Sequence, residues 1–314
     1  MAKYLDNTFY FSSGRVALYN GIKLINLNKK KIILLPDIIC KEILIPLKKL
    51  KIKYKFYELD NELKPKWSEL SKIKLKNISS ILMIHYFGFP SDINKFRAFT
   101  KKNKIILIED YCHGYDGYYK SKKLGTFGDI CIMSPKKLIN KLYSGGILKL
   151  NKDFELKKIN LKKKKIYFFQ IIFKVFKNLF IFQYIKTFIK NKIINSRILI
   201  NTEHQFDNKL IDDLSMKMLK EKKYNLKNRI HKYKALYSFL KKNNINPIYK
   251  LNIKDRIIPW HIPFYLEKNQ ILSFKEKTEK LNLNLVQWPE IPNEFKKENK
   301  MQKKYSRLHC LIIK

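Results

Sequence analysis

Four side chains of different chemistry follow the ends of two apolar runs in the first half of the chain: Asp110, His113, Ser134 and Lys137. The first run starts at Ile105 and the second spans 130–133. Short runs of β-branched residues predict buried parallel strands. Ligands of open α/β sheets bind at the carboxyl ends of such strands. We therefore expect the four side chains to meet at one edge of a sheet.

This set of groups suits an aldehyde cofactor such as pyridoxal phosphate (PLP). A lysine that loses its charge through desolvation can attack the aldehyde as an amine. Asp110 can pair with the pyridinium nitrogen, so that the ring acts as an electron sink. A hydroxyl and free backbone N–H groups can bind the phosphate. Acids and lysines are common at strand ends, so a solvated lysine pair in a basic protein stays open as the alternative.

The order and spacing of four motifs resemble the DegT-type sugar aminotransferases, in the aspartate aminotransferase (fold type I) superfamily of PLP enzymes. The motifs are Glu109-Asp110-Tyr111-Cys112-His113, Gly125-Thr-Phe-Gly128-Asp129, Ser134-Pro-Lys-Lys137 and Gly145-Gly146. Each motif alone is weak, and their succession carries the resemblance.

The resemblance implies a role for each residue. Lys137 would bind the cofactor aldehyde as a Schiff base and later move the substrate proton. Asp110 would hold the pyridinium nitrogen, and His113 would orient the ring or its phenolic oxygen. Ser134 would bind the phosphate together with Ser13, Gly14 and Arg15, which match the family's S-G-x-x-A-L turn.

Two further residues are expected to line the site. His85 lies in a loop similar to a family loop near the cofactor, although a histidine beside aromatics more often packs in a core. Cys40 follows Ile38 and Ile39 where family members commonly place an aromatic that stacks on the pyridine ring. The ring-stacking partner therefore has no candidate in the sequence. Arg197, Arg229 and Arg256 are candidates for binding the carboxylate of the amino donor.

The composition limits which partners and which cellular compartment are expected. A formal charge of +41 is typical of nucleic-acid-binding proteins. However, the lysines are spread along the chain and no RNA motif or helix-turn-helix signature appears, so no nucleic-acid partner is expected. The four cysteines form no C-x-x-C pair, which argues against a metal site and against disulfides. This suits a reducing cytoplasm, as does the lack of an apolar signal region in the first residues.

The distribution of glycine divides the chain. All nine glycines lie at or before Gly146, and 147–246 contains neither glycine nor proline, which predicts helices. We expect a PLP-binding large domain over 1–150, a helical connection over 151–240 and a small C-terminal α+β domain over 241–314. The resemblance implies an α/β large domain of fold type I, with a mixed, mostly parallel seven-stranded sheet. The apolar segment 308–314 ends early for the family, so we expect a truncated small domain with a less covered strand edge.

Two segments of the helical connection affect the choice of partner. The stretch 161–192 combines lysines with aromatic and isoleucine side chains at helical spacing, and polar residues interrupt it too often for a membrane span. It suits either a membrane surface or, as the favoured arrangement, packing on the large domain or a partner subunit. Residues 201–208 lack the family's G-x-N-x-R pattern, which reaches the partner subunit's cofactor.

These observations predict a cytoplasmic PLP-dependent aminotransferase. The resemblance implies transfer from an amino acid, with glutamate as the expected donor, to a keto sugar nucleotide in cell-surface polysaccharide or related sugar biosynthesis. It also implies a homodimer. The residue pattern of 161–192 separately leaves open a peripheral contact with the inner face of the membrane. Two alternatives stay open: a PLP-fold protein that has lost activity and acts as a binding partner, and a basic membrane-surface protein.

Overall fold

The computed structural model describes residues 7–24, 32–153, 211–222, 225–251 and 256–313. The amphipathic stretch 161–192 and the segment 201–208 lie outside the described residues. The expectations attached to both therefore stay predictions, as do the domain boundaries near residues 150 and 240.

The strands of the first half of the chain are β1 (Thr8–Phe11), β2 (Ile32–Pro36), β3 (Lys53–Tyr57), β4 (Ile78–Ile84), β5 (Ile106–Tyr111), β6 (Tyr118–Tyr119), β7 (Lys122–Lys123), β8 (Ile130–Met133) and β9 (Gly146–Leu150). Seven of them form one sheet in the order β1-β9-β8-β5-β4-β2-β3. Strands β8, β5, β4, β2 and β3 pair in parallel, whereas β9 runs antiparallel to β8 and β1. The predicted mixed, mostly parallel seven-stranded sheet is confirmed.

The central strands owe their position to their sequence. β4, β5 and β8 are almost continuously buried, as expected for parallel strands covered on both faces. β5 extends beyond the predicted apolar run, because Glu109 and Asp110 both belong to the strand. Successive side chains of a strand point to opposite faces, so these two neighbouring carboxylates face different surroundings.

The helices are α1 (Gly14–Leu24), α2 (Lys41–Lys49), α3 (Trp67–Leu70), α4 (Ile93–Asn103), α5 (Asp213–Lys220), α6 (Lys227–Lys242), α7 (Lys268–Lys280) and α8 (Asn299–Arg307). The segment from Asp212 to Leu240 lies in two separate helices, α5 and α6. Asp212 caps α5 by accepting a hydrogen bond from Ser215 N at 2.7 Å. The Asn225 side chain accepts from Lys227 N at 2.9 Å, which starts a new helix there.

A second sheet forms near the C-terminal end of the described chain from β10 (His261–Tyr265), β11 (Leu285–Gln287) and β12 (Leu308–Ile312). Its order is β10-β12-β11, and both pairings are antiparallel. The apolar segment after residue 308 thus supplies the central strand. β12 is paired on both sides, and the expected truncation of the small domain, with a less covered strand edge, stays a prediction.

The small sheet is tied to the large one through α8. Lys304 Nζ lies 2.6 Å from Asp37 Oδ2 and donates to Leu59 O at 2.8 Å. The Tyr305 hydroxyl donates to Asp37 O at 2.8 Å and accepts from Ile39 N at 2.9 Å. These contacts fix the loop between β2 and α2. Within the described ranges, no helix combines the length and apolarity needed to cross a membrane.

Candidate functional site

A cavity of about 350 Å³ opens at the carboxyl ends of β5 and β8, with walls from both sheets. All the predicted site residues except one line it: Ser13, Gly14, Arg15, Cys40, Asp110, His113, Ser134 and Lys137. The structure therefore brings together groups that are spread over more than a hundred residues of sequence.

His85 is the exception, and its expected place in the site is corrected. Its ring is fully buried, it does not contribute to the cavity wall, and its Nε2 lies 3.0 Å from Glu109 Oε1. His85 Nδ1 accepts a hydrogen bond from Ser91 N at 3.0 Å, so the ring proton sits on Nε2 and is donated to Glu109. The histidine is a buried partner of a carboxylate.

Glu109 is a fixed structural anion. Besides the His85 contact, its two oxygens accept hydrogen bonds from the amides of Gly125, Phe127 and Gly128 at 2.7–2.8 Å. Burial by itself would raise the pKa of Glu109, but the hydrogen bonds from His85 and from the loop amides bring it below its ordinary value. The first acid of the motif thus holds the loop before β8 against β5.

Asp110, the next residue, contributes to the cavity instead. It is 6% exposed, and its Oδ1 accepts a hydrogen bond from Cys112 N at 2.8 Å. Ionised carboxylates can accept several hydrogen bonds, so Asp110 retains capacity for a cationic ring nitrogen. Its position agrees with the pairing role that the resemblance implies.

Lys137 ends a short 3₁₀ turn, Pro135–Lys137, which directly follows β8. Its Nζ lies 4.8 Å from the centre of the Trp260 ring. The side chain is exposed in the single chain, so the described residues do not desolvate it as the sequence argument expected. Lys136 does not line the cavity, and its Nζ donates to Tyr143 O at 2.6 Å.

The start of α1 forms a cradle beside Ser134. Ser13 Oγ accepts a hydrogen bond from Val16 N at 3.3 Å, an N-cap that leaves the first amides of the helix facing the cavity end. A Cβ on Gly14 would lie 3.0 Å from Cys112 Sγ and 3.3 Å from Ser134 Cβ. Glycine thus keeps open a space, bordered by helix amides and a hydroxyl, that suits a phosphate.

The glycine pair after the lysine turn supports this cradle from behind. Ser134 Oγ donates to Gly145 O at 3.4 Å, and Gly145 N donates to Ser12 O at 3.1 Å. β9 approaches this turn so closely that a Cβ on Gly146 would lie 2.0 Å from the carbonyl carbon of Ser13. Only glycine therefore fits at this position. The pair therefore joins the serine of the lysine turn to the helix start.

Arg15 contributes to the cavity wall but its guanidinium also has a protein partner. Arg15 Nη1 lies 2.6 Å from Glu42 Oε2 on α2. This ion pair links the first two helices across the mouth of the cavity. The phosphate-binding role expected for Arg15 rests on its backbone amide, in the first turn of α1.

His113 presents one defined tautomer. Its Nδ1 accepts a hydrogen bond from Phe87 N at 3.3 Å, so the proton sits on Nε2. Burial, reinforced by Lys137 and His261, holds the pKa of His113 well below its ordinary value. The ring is neutral at neutral pH and can donate one hydrogen bond.

The aromatic residues of the cavity come from parts of the chain that sequence reasoning did not assign to the site. Trp260 stacks on His113 with ring centres 4.4 Å apart, and Trp288 meets the same imidazole edge-on at 4.9 Å. Tyr86 completes this group and donates its hydroxyl proton to Ile38 O. No sequence motif predicted that these aromatic residues line the cavity. Trp260 and Trp288 flank strands of the small sheet, which is far from the lysine turn in the sequence.

Cys40 lies where an aromatic was expected, at the N-cap of α2. Burial raises the pKa of the Cys40 thiol and raises that of Cys112 well above its ordinary range. Both thiols are therefore protonated at neutral pH and act as small cavity walls. They leave room in the cavity that an aromatic side chain at residue 40 would fill.

None of the described arginine candidates offers a free clamp for a substrate carboxylate. Arg229 is buried and donates to the carbonyls of Pro259, Trp260 and Ile313. Burial lowers the pKa of Arg229 to about 10. Arg256 lies over the Tyr118 ring at 4.6 Å and outside the cavity wall, and residue 197 lies outside the described residues.

The donor set of the cavity fits pyridoxal phosphate. It combines an amine, a buried carboxylate, a neutral imidazole and a glycine-lined cradle at a helix start, which are the groups this cofactor requires. In the part of the chain that the structure describes, no group of three or more His, Cys, Asp or Glu side chains could hold a metal ion.

Known proteins are similar to this chain in sequence. A model of the DegT/DnrJ/EryC1/StrS aminotransferase family matches residues 3–165. GDP-perosamine synthase of Escherichia coli O157:H7 is 30% identical over 83 residues, which are 25% of this chain and 22% of the relative. The matched segment thus spans about a fifth of that protein.

Solved structures share the fold over almost the whole chain. PseC of Helicobacter pylori, an aminotransferase involved in the biosynthesis of pseudoaminic acid, has a TM-score of 0.69 at 15% identity, covering 97% of this chain and 81% of its own. The sugar aminotransferase CalS13 of Micromonospora echinospora gives 0.61 at 14%, covering 98% and 82%. Spr1654 of Streptococcus pneumoniae, in a PLP form, gives 0.66 at 12%, covering 97% and 81%.

The stability of the protein should depend on a buried histidine beside the cavity. His261 Nδ1 accepts from Ile313 N at 3.1 Å, and burial, with Arg229 and Lys137, lowers the pKa of His261 to about 3. Below about pH 6.5 the unfolded chain binds a proton here that the folded chain does not. The free energy of unfolding should therefore fall by about 1.4 kcal/mol per pH unit from this group as pH drops towards 3.

His261→Asn keeps an acceptor near the Nδ1 position and removes the titration. Urea unfolding between pH 4 and pH 7 should show a smaller pH slope for this variant than for the wild type. His231→Asn, at an exposed position on α6, is the matched control and should keep the wild-type slope. Equal slopes for His261→Asn and wild type would contradict the assignment.

Proposed function

Because this chain belongs to the DegT/DnrJ/EryC1/StrS aminotransferase family, whose members depend on pyridoxal phosphate, we propose that it transfers an amino group from an amino acid to a nucleotide-linked keto sugar. The observation that carries the proposal is the meeting of Lys137, Asp110 and Ser134 around one cavity at the start of α1. The relatives named for GDP-perosamine and pseudoaminic acid support the sugar as acceptor. Glutamate as donor and a role in cell-surface polysaccharide biosynthesis are further parts of the proposal.

Each part of the cofactor has a residue to hold it. Asp110 would pair with the ring nitrogen, and Lys137 would bind the aldehyde carbon. Ser134, Ser13 and the amides of Gly14 and Arg15 would hold the phosphate. When bound, pyridoxal phosphate supplies an electron sink that makes the proton on the amine-bearing carbon removable.

The side chains around this cofactor would handle the proton and the charges. Lys137 Nζ would take the proton from the amine-bearing carbon of the donor as a general base, and in the second half of the reaction would give a proton as a general acid to the sugar carbon that receives the amino group. Asp110 keeps the ring nitrogen protonated, because a buried carboxylate stabilises an adjacent cation. His113, neutral and protonated on Nε2, donates a hydrogen bond without adding positive charge to the cavity.

A homodimer is proposed as the working form. Lys137 is exposed in the single chain, whereas amine chemistry of this kind needs a site closed to water. A second copy that covers the cavity mouth would supply that closure. Light scattering in salt high enough to suppress lysine-driven association should give twice the mass of one 37.8 kDa chain. A monomer that retains full activity would contradict the proposal.

A cytoplasmic location and membrane contact through 161–192 stay predictions.

The function is tested on the full chain loaded with pyridoxal phosphate. The protein should convert glutamate to 2-oxoglutarate when GDP-, UDP- or dTDP-linked keto hexoses are supplied, and only then with many turnovers. Lys137→Ala should abolish this activity, the visible absorption band of the bound cofactor and the change that borohydride causes in that band.

Lys136→Ala is the matched control, since Lys136 Nζ bonds Tyr143 O instead of contributing to the cavity wall. It should keep the band and most of the activity. Loss of the band in Lys136→Ala but not in Lys137→Ala would show that the turn is misassigned by one residue. A wild-type protein without any band would support the alternative of an inactive PLP-fold binding partner.

A second variant addresses Asp110. Asp110→Asn should retain bound cofactor, because the phosphate cradle is untouched, but should lower the transamination rate by orders of magnitude. The reason is that a neutral amide cannot hold the ring nitrogen in its protonated form. Asp116→Asn, which removes a surface ion pair with Lys123, is the control and should keep the wild-type rate. A near-normal rate for Asp110→Asn would exclude it as the ring partner.

A further inference from the structure

Trp260 belongs to the chain segment of the small sheet, yet its indole forms part of the cavity wall. Its backbone is held on both sides. Trp260 N donates to Phe87 O at 2.8 Å, while the buried guanidinium of Arg229 donates to the carbonyls of Pro259, at 2.9 Å, and Trp260. The backbone of Trp260 is thus fixed by contacts within the protein.

The surroundings of this indole define a corner. His113 stacks on Trp260 with an interplanar angle of 27°, and the Trp288 ring stands almost perpendicular to it, at 85°, with ring centres 6.0 Å apart. Both tryptophans are only partly buried, so each still exposes ring surface. The two indoles form an L-shaped aromatic wall along one side of the cavity.

The reach of Lys137 includes this wall. A carbon that exchanges a proton with Lys137 must come within about 3–3.5 Å of its Nζ. That nitrogen lies 4.8 Å from the centre of the Trp260 ring. A ring that carries the reacting carbon can therefore contact the Trp260 indole while Lys137 acts on it.

The chemistry of an indole face suits a sugar ring. Aromatic faces carry a negative electrostatic potential. The C–H bonds on the flat side of a pyranose are polarised by the neighbouring oxygens, so their hydrogens are weakly positive and pack well on such a face. The nucleobase of a nucleotide sugar is separated from the reacting carbon by the diphosphate, so it cannot be the group held next to Lys137.

We propose that Trp260 is the sugar-contacting, specificity-determining residue of this site, with Trp288 as the second side of the corner. The proposal rests on the proposed function, because it takes a nucleotide-linked keto sugar as the acceptor. The amino-acid donor is smaller and does not need this wall. Trp260 should therefore matter for the sugar half of the reaction and little for the amino-acid half.

Kinetics on the pyridoxal-phosphate-loaded full chain separate the two halves. Trp260→Leu should raise KM for the nucleotide keto sugar by about tenfold, the scale found for loss of a stacking aromatic, with a smaller change in kcat. Its amino-acid half-reaction with glutamate, followed by cofactor absorbance, should stay within about twofold of wild type. Trp260→Phe keeps an aromatic face and should raise KM by less than Trp260→Leu does. Trp67→Phe is the distant control, since Trp67 packs on Phe96 and Phe99, and should leave both halves unchanged.

Fluorescence provides a direct readout of contact. The chain has three tryptophans, so the double variant Trp67→Phe with Trp288→Phe leaves Trp260 as the single emitter. Titration with GDP-perosamine and with UDP- and dTDP-linked amino hexoses should change its emission for the sugar that is bound. The corresponding free nucleoside diphosphate, which lacks the sugar, should not change it.

The outcomes distinguish the two proposals. If wild type turns over a keto sugar but Trp260→Leu keeps its KM within twofold, the role of Trp260 is overturned and the proposed function stands. The same holds if the single-tryptophan protein still turns over a keto sugar but its emission ignores the matching amino sugar. An equal loss in both half-reactions would also overturn it, since it indicates a structural role. If wild type aminates no nucleotide keto sugar, the proposed function fails and this proposal fails with it.

Discussion

The arrangement of the site depends on one buried anion, the carboxylate of Glu109. Its hydrogen bonds with His85 and three loop amides hold the loop 125–128 against β5. That loop leads directly into β8 and then into the turn that carries Lys137. Because Asp110 is the next residue of the same strand, the anchoring of Glu109 also fixes the carboxylate in the cavity. One structural acid thus sets the spacing of the groups that would perform the chemistry.

Local motifs made much of this site predictable. The acids of β5 and the serine and lysine after β8 follow two strands that pair in parallel, so their carboxyl ends had to be neighbours. The glycine turn at the start of α1 reached the same edge, because β1 pairs with β9 beside β8. Strand identity in the first half followed from apolar runs and breaks, and β8 has the predicted limits of Ile130 and Met133.

The contacts that escaped prediction all join distant parts of the chain. His85 was expected to line the site because its loop is similar to a family loop near the cofactor, whereas its contact with Glu109, 24 residues later, keeps it in the core. Trp260 and Trp288 had no local signature, since tryptophans next to strands are ordinary core residues. The central position of β12 depends on two pairings that no window of sequence contains. Residue type suggested the chemistry, whereas tertiary contacts decided which residue takes part in it.

The C-terminal part of the chain, with its small sheet, therefore helps to build the cavity. Through α8, Lys304 and Tyr305 hold the loop that ends in Cys40, and through α6, Arg229 holds the backbone of Trp260. Two parts of the cavity wall are thus positioned by contacts with the C-terminal part of the chain. Asp110 and Lys137 belong to the large sheet and to the turn after β8, whereas Trp260 and Trp288 flank strands of the small sheet. The groups expected to hold the cofactor and the aromatic wall proposed to contact the sugar therefore come from different sheets.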